Sequence, residues 1–267
     1  MPADDSPRRV LLTNDDGIES VGFRALYDAL TAIEAVEVTA VAPADDQSAV
    51  GRRLSTRVDV VEHDLGYAVE GTPADCVVAG LEALCPDTDV VVAGCNKGAN
   101  LGEYVLGRSG TVSAAVEATF FDVPALAVSL FVPPGRETPW EETAEEPEEY
   151  ANATAVARYL VDHAVDAGVF EQADYLNVNA PPADGDPAPM AVTYPSETYD
   201  MRANHDGERI QLEDMVWGHL GDGTLDEPAG SDRRAVMEGQ VSVSPLTAPH
   251  TTERHEALDA LVETYRD

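Results

Sequence analysis

The sequence predicts an α/β fold in which short apolar strands alternate with amphipathic helices around a doubly wound, mostly parallel sheet. Two features carry this expectation. Val- and Leu-rich runs recur between stripes of helical periodicity over much of the chain. The most polar and glycine-rich turns follow the ends of those runs, on the side where open α/β sheets bind ligands.

The elements follow in order. Val10-Leu11-Leu12-Thr13 reads as a strand ending in the turn Asn14-Asp15-Asp16-Gly17. Phe23, Leu26, Tyr27 and Leu30 repeat at helical spacing. Residues 36–42 form a second strand, closed by Pro43, and such a strand–helix–strand unit implies a parallel pair with a right-handed crossover. Thr72-Pro73 is an N-cap with proline at the first helical position, opening a helix through about Leu84. Then come a buried strand at 89–94, a helix from Thr111 to about Phe121, a strand at 125–129, a helix at 151–164 and a strand at 175–179. This alternation is Rossmann-like. Residues 135–149 and 181–189 have the composition of a solvated loop and a linker. Residues 190–218 read as extended hairpin or arm segments, including Ile210-Gln211-Leu212 and Met215-Val216-Trp217. A returning strand at 240–244 and a closing helix at 253–265 complete the expectation. Residues 1–189 are thus the expected core and 190–267 the arm, returning strand and closing helix of one continuous domain.

Composition bounds the function. The chain has 267 residues, 44% of them hydrophobic, enough for one large α/β domain or one with an appendage. No apolar stretch approaches the ~18–20 residues of a membrane span. The start lacks a basic n-region and an apolar h-region, so no signal peptide is expected. Cys76, Cys85 and Cys95 are odd in number and have no metal-ligand spacing. Reduced thiols and a cytoplasmic location are the simple expectation. Asp and Glu number 50 against 16 Lys and Arg, a net charge of -34. Such a surface repels duplex nucleic acid and anionic membranes. Lys97 is the sole lysine. Acidic residues spread along the whole chain, with almost no lysine, indicate a protein adapted to very high salt, where the repulsion is screened.

The chemistry gathers at three strand ends: Asp15-Asp16-Gly17, Pro43-Ala44-Asp45-Asp46-Gln47-Ser48, and Asn96-Lys97-Gly98-Ala99-Asn100-Leu101-Gly102. Adjacent aspartates would diverge within a strand, but at a turn both swing toward one point. Two like charges there are costly unless a cation neutralises them. Oxygen donors suit Mg²⁺ or Mn²⁺, and Ser48 and Asn96 would add a hydroxyl and an amide oxygen. Ser109-Gly110-Thr111 opens a helix whose free N–H groups would favour a phosphate. Lys97 and Arg108 are the nearest basic residues, and Asn14 and Asn100 are further candidate substrate contacts. Each feature alone has an ordinary structural reading: a turn and N-cap for Asp15-Asp16, loop hydrogen bonding for Ser48, a left-handed turn for Asn96, capping for Ser109-Gly110-Thr111.

Together the motifs resemble the SurE survival-protein family. Leu12-Thr13-Asn14-Asp15-Asp16-Gly17-Ile18 resembles its N-terminal signature, as does Val41-Ala42-Pro43 followed by Gln47-Ser48. Gly71-Thr72-Pro73-Ala74-Asp75-Cys76-Val77, the loop from Gly94 to Gly102 and Ser109-Gly110-Thr111-Val112 match further elements. So do Asn177-Val178-Asn179-Ala180-Pro181, Gly230-Ser231-Asp232 and the segment from Glu238 to Leu246. The resemblance implies a cytoplasmic, metal-dependent 5′- or 3′-nucleotidase with Asp15, Asp16, Ser48 and Asn96 as metal ligands and the aspartates as catalytic groups. It also implies a homodimer, or dimer of dimers, joined through an exchanged C-terminal arm. The chain departs from the family pattern at Cys95, Glu103-Tyr104 and Arg108, and its loop from Asn96 to Ser109 is one residue longer than is common.

Other classes fit less well. A haloacid-dehalogenase-type phosphatase expects alternate aspartates, DxD, rather than an adjacent pair. No G-x-G-x-x-G follows the first strand, and no G-x-S-x-G elbow is present. The six histidines, at 63, 163, 205, 219, 250 and 255, are scattered. A non-catalytic nucleotide-binding or assembly module on the same fold remains open. The charge predicts that the melting temperature rises from low to multimolar KCl; highest stability without salt would exclude adaptation to salt.

Overall fold

The computed structural model of the chain describes residues 6–133, 139–183, 185–248 and 261–262. The expected closing helix lies outside the described residues apart from Leu261 and Val262, which are helical, and His250 and His255 lie outside them as well. The strands are β1 (Arg8–Thr13), β2 (Val36–Pro43), β3 (Val60–His63), β4 (Gly66–Val69), β5 (Val90–Lys97), β6 (Ala125–Leu130), β7 (Tyr175–Ala180), β8 (Met190–Val192), β9 (Met201–Asp206), β10 (Arg209–Asp214) and β11 (Val241–Leu246). The helices are α1 (Val21–Thr31), α2 (Pro73–Ala79), α3 (Glu103–Leu106), α4 (Gly110–Thr119), α5 (Ala151–His163), α6 (Met215–Gly221) and α7 (Asp232–Met237).

Nine strands join one sheet in the order β3-β4-β2-β1-β5-β6-β7-β11-β8, and β9 pairs with β10 in a separate hairpin. From β2 to β7 every pairing is parallel. The central five strands, β2-β1-β5-β6-β7, wind outward in both directions from the junction of β1 and β5. Their carboxyl ends open a crevice there, the switch point at which doubly wound sheets bind ligands. β11 returns antiparallel to β7, and β8 lies parallel to β11.

Alternation along β1 builds both layers. Val10 and Leu12 face a cluster with Phe23, Leu26 and Leu30 of α1 and Ala153, Ala157 and Val161 of α5. Leu11 faces the opposite cluster, with Cys76 and Val77 of α2 and Val112, Ala115 and Ala118 of α4. Each large side chain so buried contributes ~1.5–3 kcal/mol. α1 lies close to the sheet at Gly22, where an added Cβ would stand 2.3 Å from the Cys95 carbonyl oxygen. Thr72 caps α2 reciprocally: its hydroxyl accepts from Asp75 N, and Asp75 Oδ2 accepts from Thr72 N at 2.8 Å. The helix then continues through a π turn to Leu84.

One expectation fails. Met215-Val216-Trp217 is not extended but opens α6, because the Asp214 carboxylate accepts from Val216 N and so caps a helix. Val216 and Leu220, four apart, then face inward together. The hairpin β3–β4 and the helices α3 and α7 are short elements that periodicity did not announce. Among the described residues, no helix is long and apolar enough to cross a membrane.

Candidate active site

A cavity of about 940 Å³ occupies the crevice at the switch point. The end of β1 supplies Asp15 and Asp16, the loop after β2 supplies Asp46 and Ser48, and the end of β5 supplies Asn96 and Lys97. Asn100, Arg108 and Ser109 line it as well. All four residues expected to hold a metal therefore face one cavity.

The two aspartates are held differently. Thr111 Oγ1 donates to Asp15 Oδ1 at 2.5 Å, and the Thr111 backbone N–H also bonds Asp15. The amino terminus of α4 is thus turned toward the Asp15 carboxylate, a favourable place for an anion. Asp16 Oδ2 accepts from Lys97 N at 2.7 Å, which ties β1 to the end of β5. Burial pushes the Asp15 carboxyl above its usual range despite these bonds, with Asp46 adding a smaller repulsion. Burial, and then the neighbouring Asp15 charge, push Asp16 up to about 7. The Lys97 charge opposes this rise without cancelling it, and Lys97 Nζ also sits 3.0 Å from Glu145 Oε1.

These donors fit a hard divalent cation such as Mg²⁺ or Mn²⁺. All are oxygens, and two neighbouring carboxylates concentrate negative charge that a cation would neutralise. Asn96 Nδ2 donates to the Gly98 carbonyl, which leaves its amide oxygen for the cavity. Ser48 Oγ donates to Asp46 Oδ1 at 2.6 Å, fixing the hydroxyl at the rim. Among the described residues no three Asp, Glu, His or Cys side chains converge as a metal-holding group, so neutral oxygens would have to complete the shell.

Four residues expected to touch substrate have other employment. Asn14 is fully buried and donates to the Gly17 carbonyl and to Ser20 Oγ, bracing the turn. Thr111 is fully buried and committed to Asp15. Gly110 packs against Asp15, which a Cβ there would approach to 2.8 Å. Asn100 reaches the cavity wall, but its side chain donates to Ser129 Oγ at 2.9 Å. Ser109 does line the cavity, with its hydroxyl accepting from Val112 N. Sequence reasoning missed the aromatic part of the wall. Trp140 and Trp217 line the cavity, as do Thr143 and Tyr150. Trp140 is half exposed, with its ring 3.1 Å from where a Cβ on Gly98 would stand, and Gly98 has a φ of +114° that favours glycine. No signal for this wall was available, because residues 135–149 resemble any acidic loop.

A family model described as Survival protein SurE matches residues 10–201. The chain belongs to the SurE family. It is 64% identical over 259 residues to the 5′-nucleotidase SurE of Haloquadratum walsbyi, covering 97% of each chain. It is 62% identical over 258 residues to the 5′-nucleotidase SurE of Natronomonas pharaonis, covering 96% of this chain and 99% of that one. The crystal structure of the SurE protein from Aquifex aeolicus superposes with a TM-score of 0.71 at 30% identity, covering 97% of this chain and all of that one. The sheet and its switch point are therefore those of the SurE fold.

A carboxyl whose folded pKa lies above its ordinary value binds more protons in the folded state, so stability is lost as pH rises between the two. For Asp16 that window runs from 3.8 to about 7. In the metal-free protein at pH 8, Asp16→Asn should raise unfolding stability by about 2–3 kcal/mol, an advantage that shrinks toward pH 5. Urea titrations at both pH values test this, and an advantage independent of pH would show that Asp16 is not under strain.

Proposed function

We propose that the chain is a divalent-metal-dependent phosphomonoesterase that hydrolyses nucleoside 5′- and/or 3′-monophosphates to nucleoside and phosphate. The observation that carries this reading is the adjacent pair Asp15 and Asp16, the first buried and the second half-buried, in a switch-point cavity that Trp140 and Trp217 also line. The naming of close relatives as 5′-nucleotidases supports it.

In this reading Asp15, Asp16, Ser48 and Asn96 hold the cation. A bound divalent ion polarises the phosphoryl group and lowers the pKa of a water. Thr111 and the start of α4 keep Asp15 oriented, while Lys97 N keeps Asp16 oriented. Lys97, Arg108 and Ser109 face the phosphate from the cavity wall. One of the two aspartates would accept the proton of the attacking water. Trp140 and Trp217, in the wall of the same cavity, offer the base a stacking surface. The protein works in the cytoplasm as a homodimer or a dimer of dimers, with the hairpin β9–β10 as part of the arm; Ile210 and Leu212 stand exposed on that hairpin.

Incubating the protein at high salt with Mg²⁺ or Mn²⁺ and a panel of 5′- and 3′-nucleotides, and measuring free phosphate, tests the reaction. Asp15→Asn should lower kcat by more than ~100-fold, and normal turnover in that variant would refute the assignment. Nucleotide binding without phosphate release under any metal would favour a binding module. Stacking is worth ~1–3 kcal/mol per base, so Trp140→Ala should raise KM for nucleotides about 10-fold while leaving KM for ribose 5-phosphate unchanged. Equal effects on both substrates would remove the base from that wall.

A further inference from the structure

Two sequence motifs have no role in the reaction as described: Asn177 and Asn179 on β7, and Asp232 at the start of α7. All three side chains are fully buried. Asparagine is a poor strand residue, and a buried polar group is costly unless bonded. Asn177 and Asn179, two apart, share one face of β7 near its carboxyl end.

Their partner is the backbone of one residue in the loop between β5 and α3. Asn179 Oδ1 accepts from Asn100 N at 2.8 Å, and its Nδ2 donates back to Asn100 O at 3.1 Å. Asn177 Nδ2 donates to the same carbonyl at 2.9 Å. Two residues on, a second anchor closes. Asp232 Oδ2 accepts from Gly102 N at 2.7 Å while its Oδ1 accepts from Ser196 N at 3.0 Å. Arg233, 1% exposed, donates to the Leu101 carbonyl and to Ser196 Oγ and pairs with Glu227. Gly102 has φ +85°, and a Cβ there would stand 2.1 Å from Arg233 Nη2. Loop residues 100–102 are thus bonded at each consecutive backbone position by side chains 77 to 132 positions away. Asn96 and Lys97 precede this clamped stretch, and Arg108 and Ser109 follow it.

We infer that Asn177, Asn179 and Asp232, with Arg233, are positioning residues. They fix the loop that presents Asn96 and Lys97 at one end and Arg108 and Ser109 at the other, and so set the geometry of the cation and phosphate sites without touching either. This inference rests on the proposed phosphohydrolase reading. A loop rich in glycine and small residues would otherwise sample many conformations, and each fixed backbone bond removes that freedom before substrate arrives.

The test uses the full chain carrying Asn179→Asp, which keeps the acceptor for Asn100 N but sets an oxygen against Asn100 O. Asn177→Leu serves as the milder variant, since it leaves the Asn179–Asn100 pair intact and keeps the test alive if Asn179→Asp fails to fold. Hydrogen–deuterium exchange of the metal-free protein is read over residues 96–109. Exchange there should quicken about 10-fold or more, as expected for loss of one buried hydrogen bond, while β1 and β2 stay unchanged. With Mn²⁺ and a 5′-nucleotide, kcat should fall about 10- to 100-fold with KM altered less than about 3-fold. Faster exchange with kcat intact would overturn the positioning role, and so would a loss of kcat with the loop still protected. An unsubstituted chain that releases no phosphate would sink the nucleotidase reading and the catalytic half of this one, whereas unaltered exchange alone would sink the clamp.

Discussion

Two neighbouring carboxyl groups are pressed together at the end of a buried parallel strand, and the surrounding polar structure holds them there. Water would separate Asp15 and Asp16 at no cost; the fold instead buries one fully behind Thr111 and ties the other to the backbone of Lys97. Burial pushes both carboxyl groups up, with the Asp15 charge adding at Asp16 and the Asp46 charge adding at Asp15. A protein gains no stability from such an arrangement, so it marks a place where stability yields to function. The strands supply the reason it persists: β1 and β5 pair over Val10 to Thr13, and this register brings the turn after β1 against the end of β5.

The rest of the site gathers in the same cavity as that pair. Near it lie oxygen donors and the few basic groups. Trp140, Trp217 and Tyr150 line the same cavity. Two cation–ring contacts brace the loop after β5, with Arg108 and Arg233 both beside the Tyr104 ring, and Tyr104 in turn bonded to Asp214 at the foot of the hairpin. In a chain of net charge -34, the basic residues are few, and several of them gather here. The overall negative field opposes an anionic substrate, so local cations and backbone N–H groups must overcome it at short range, helped by screening at high salt.

Much of this was legible in advance. The strand ends, the α1 stripe, the capping box at Thr72 and the turn at Asp15-Asp16 are local signals, set by period, capping and turn chemistry within a few residues. The strands at 10–13, 36–42 and 175–179 and the helices following Thr72 and Thr111 appear close to where the pattern puts them. Met215-Val216-Trp217 was misread because a three-residue apolar run has no period, and only the carboxylate of Asp214 decides for helix. Thr111 was read as a phosphate donor because a hydroxyl at a helix start looks the same whether its acceptor is a ligand or a side chain from another strand.

The sequence by itself determined which segments become strands, that three polar turns follow strand ends, and that oxygen donors rather than histidines or thiols dominate them. These are properties of nearest neighbours along the chain. Only the tertiary structure decided which donors turn into the cavity and which are spent on holding it. Asn100 lies 79 positions from Asn179 and 77 from Asn177, and no local rule relates such positions. Their pairing exists because β6 lies between β5 and β7 in the sheet and brings the loop over the end of β7.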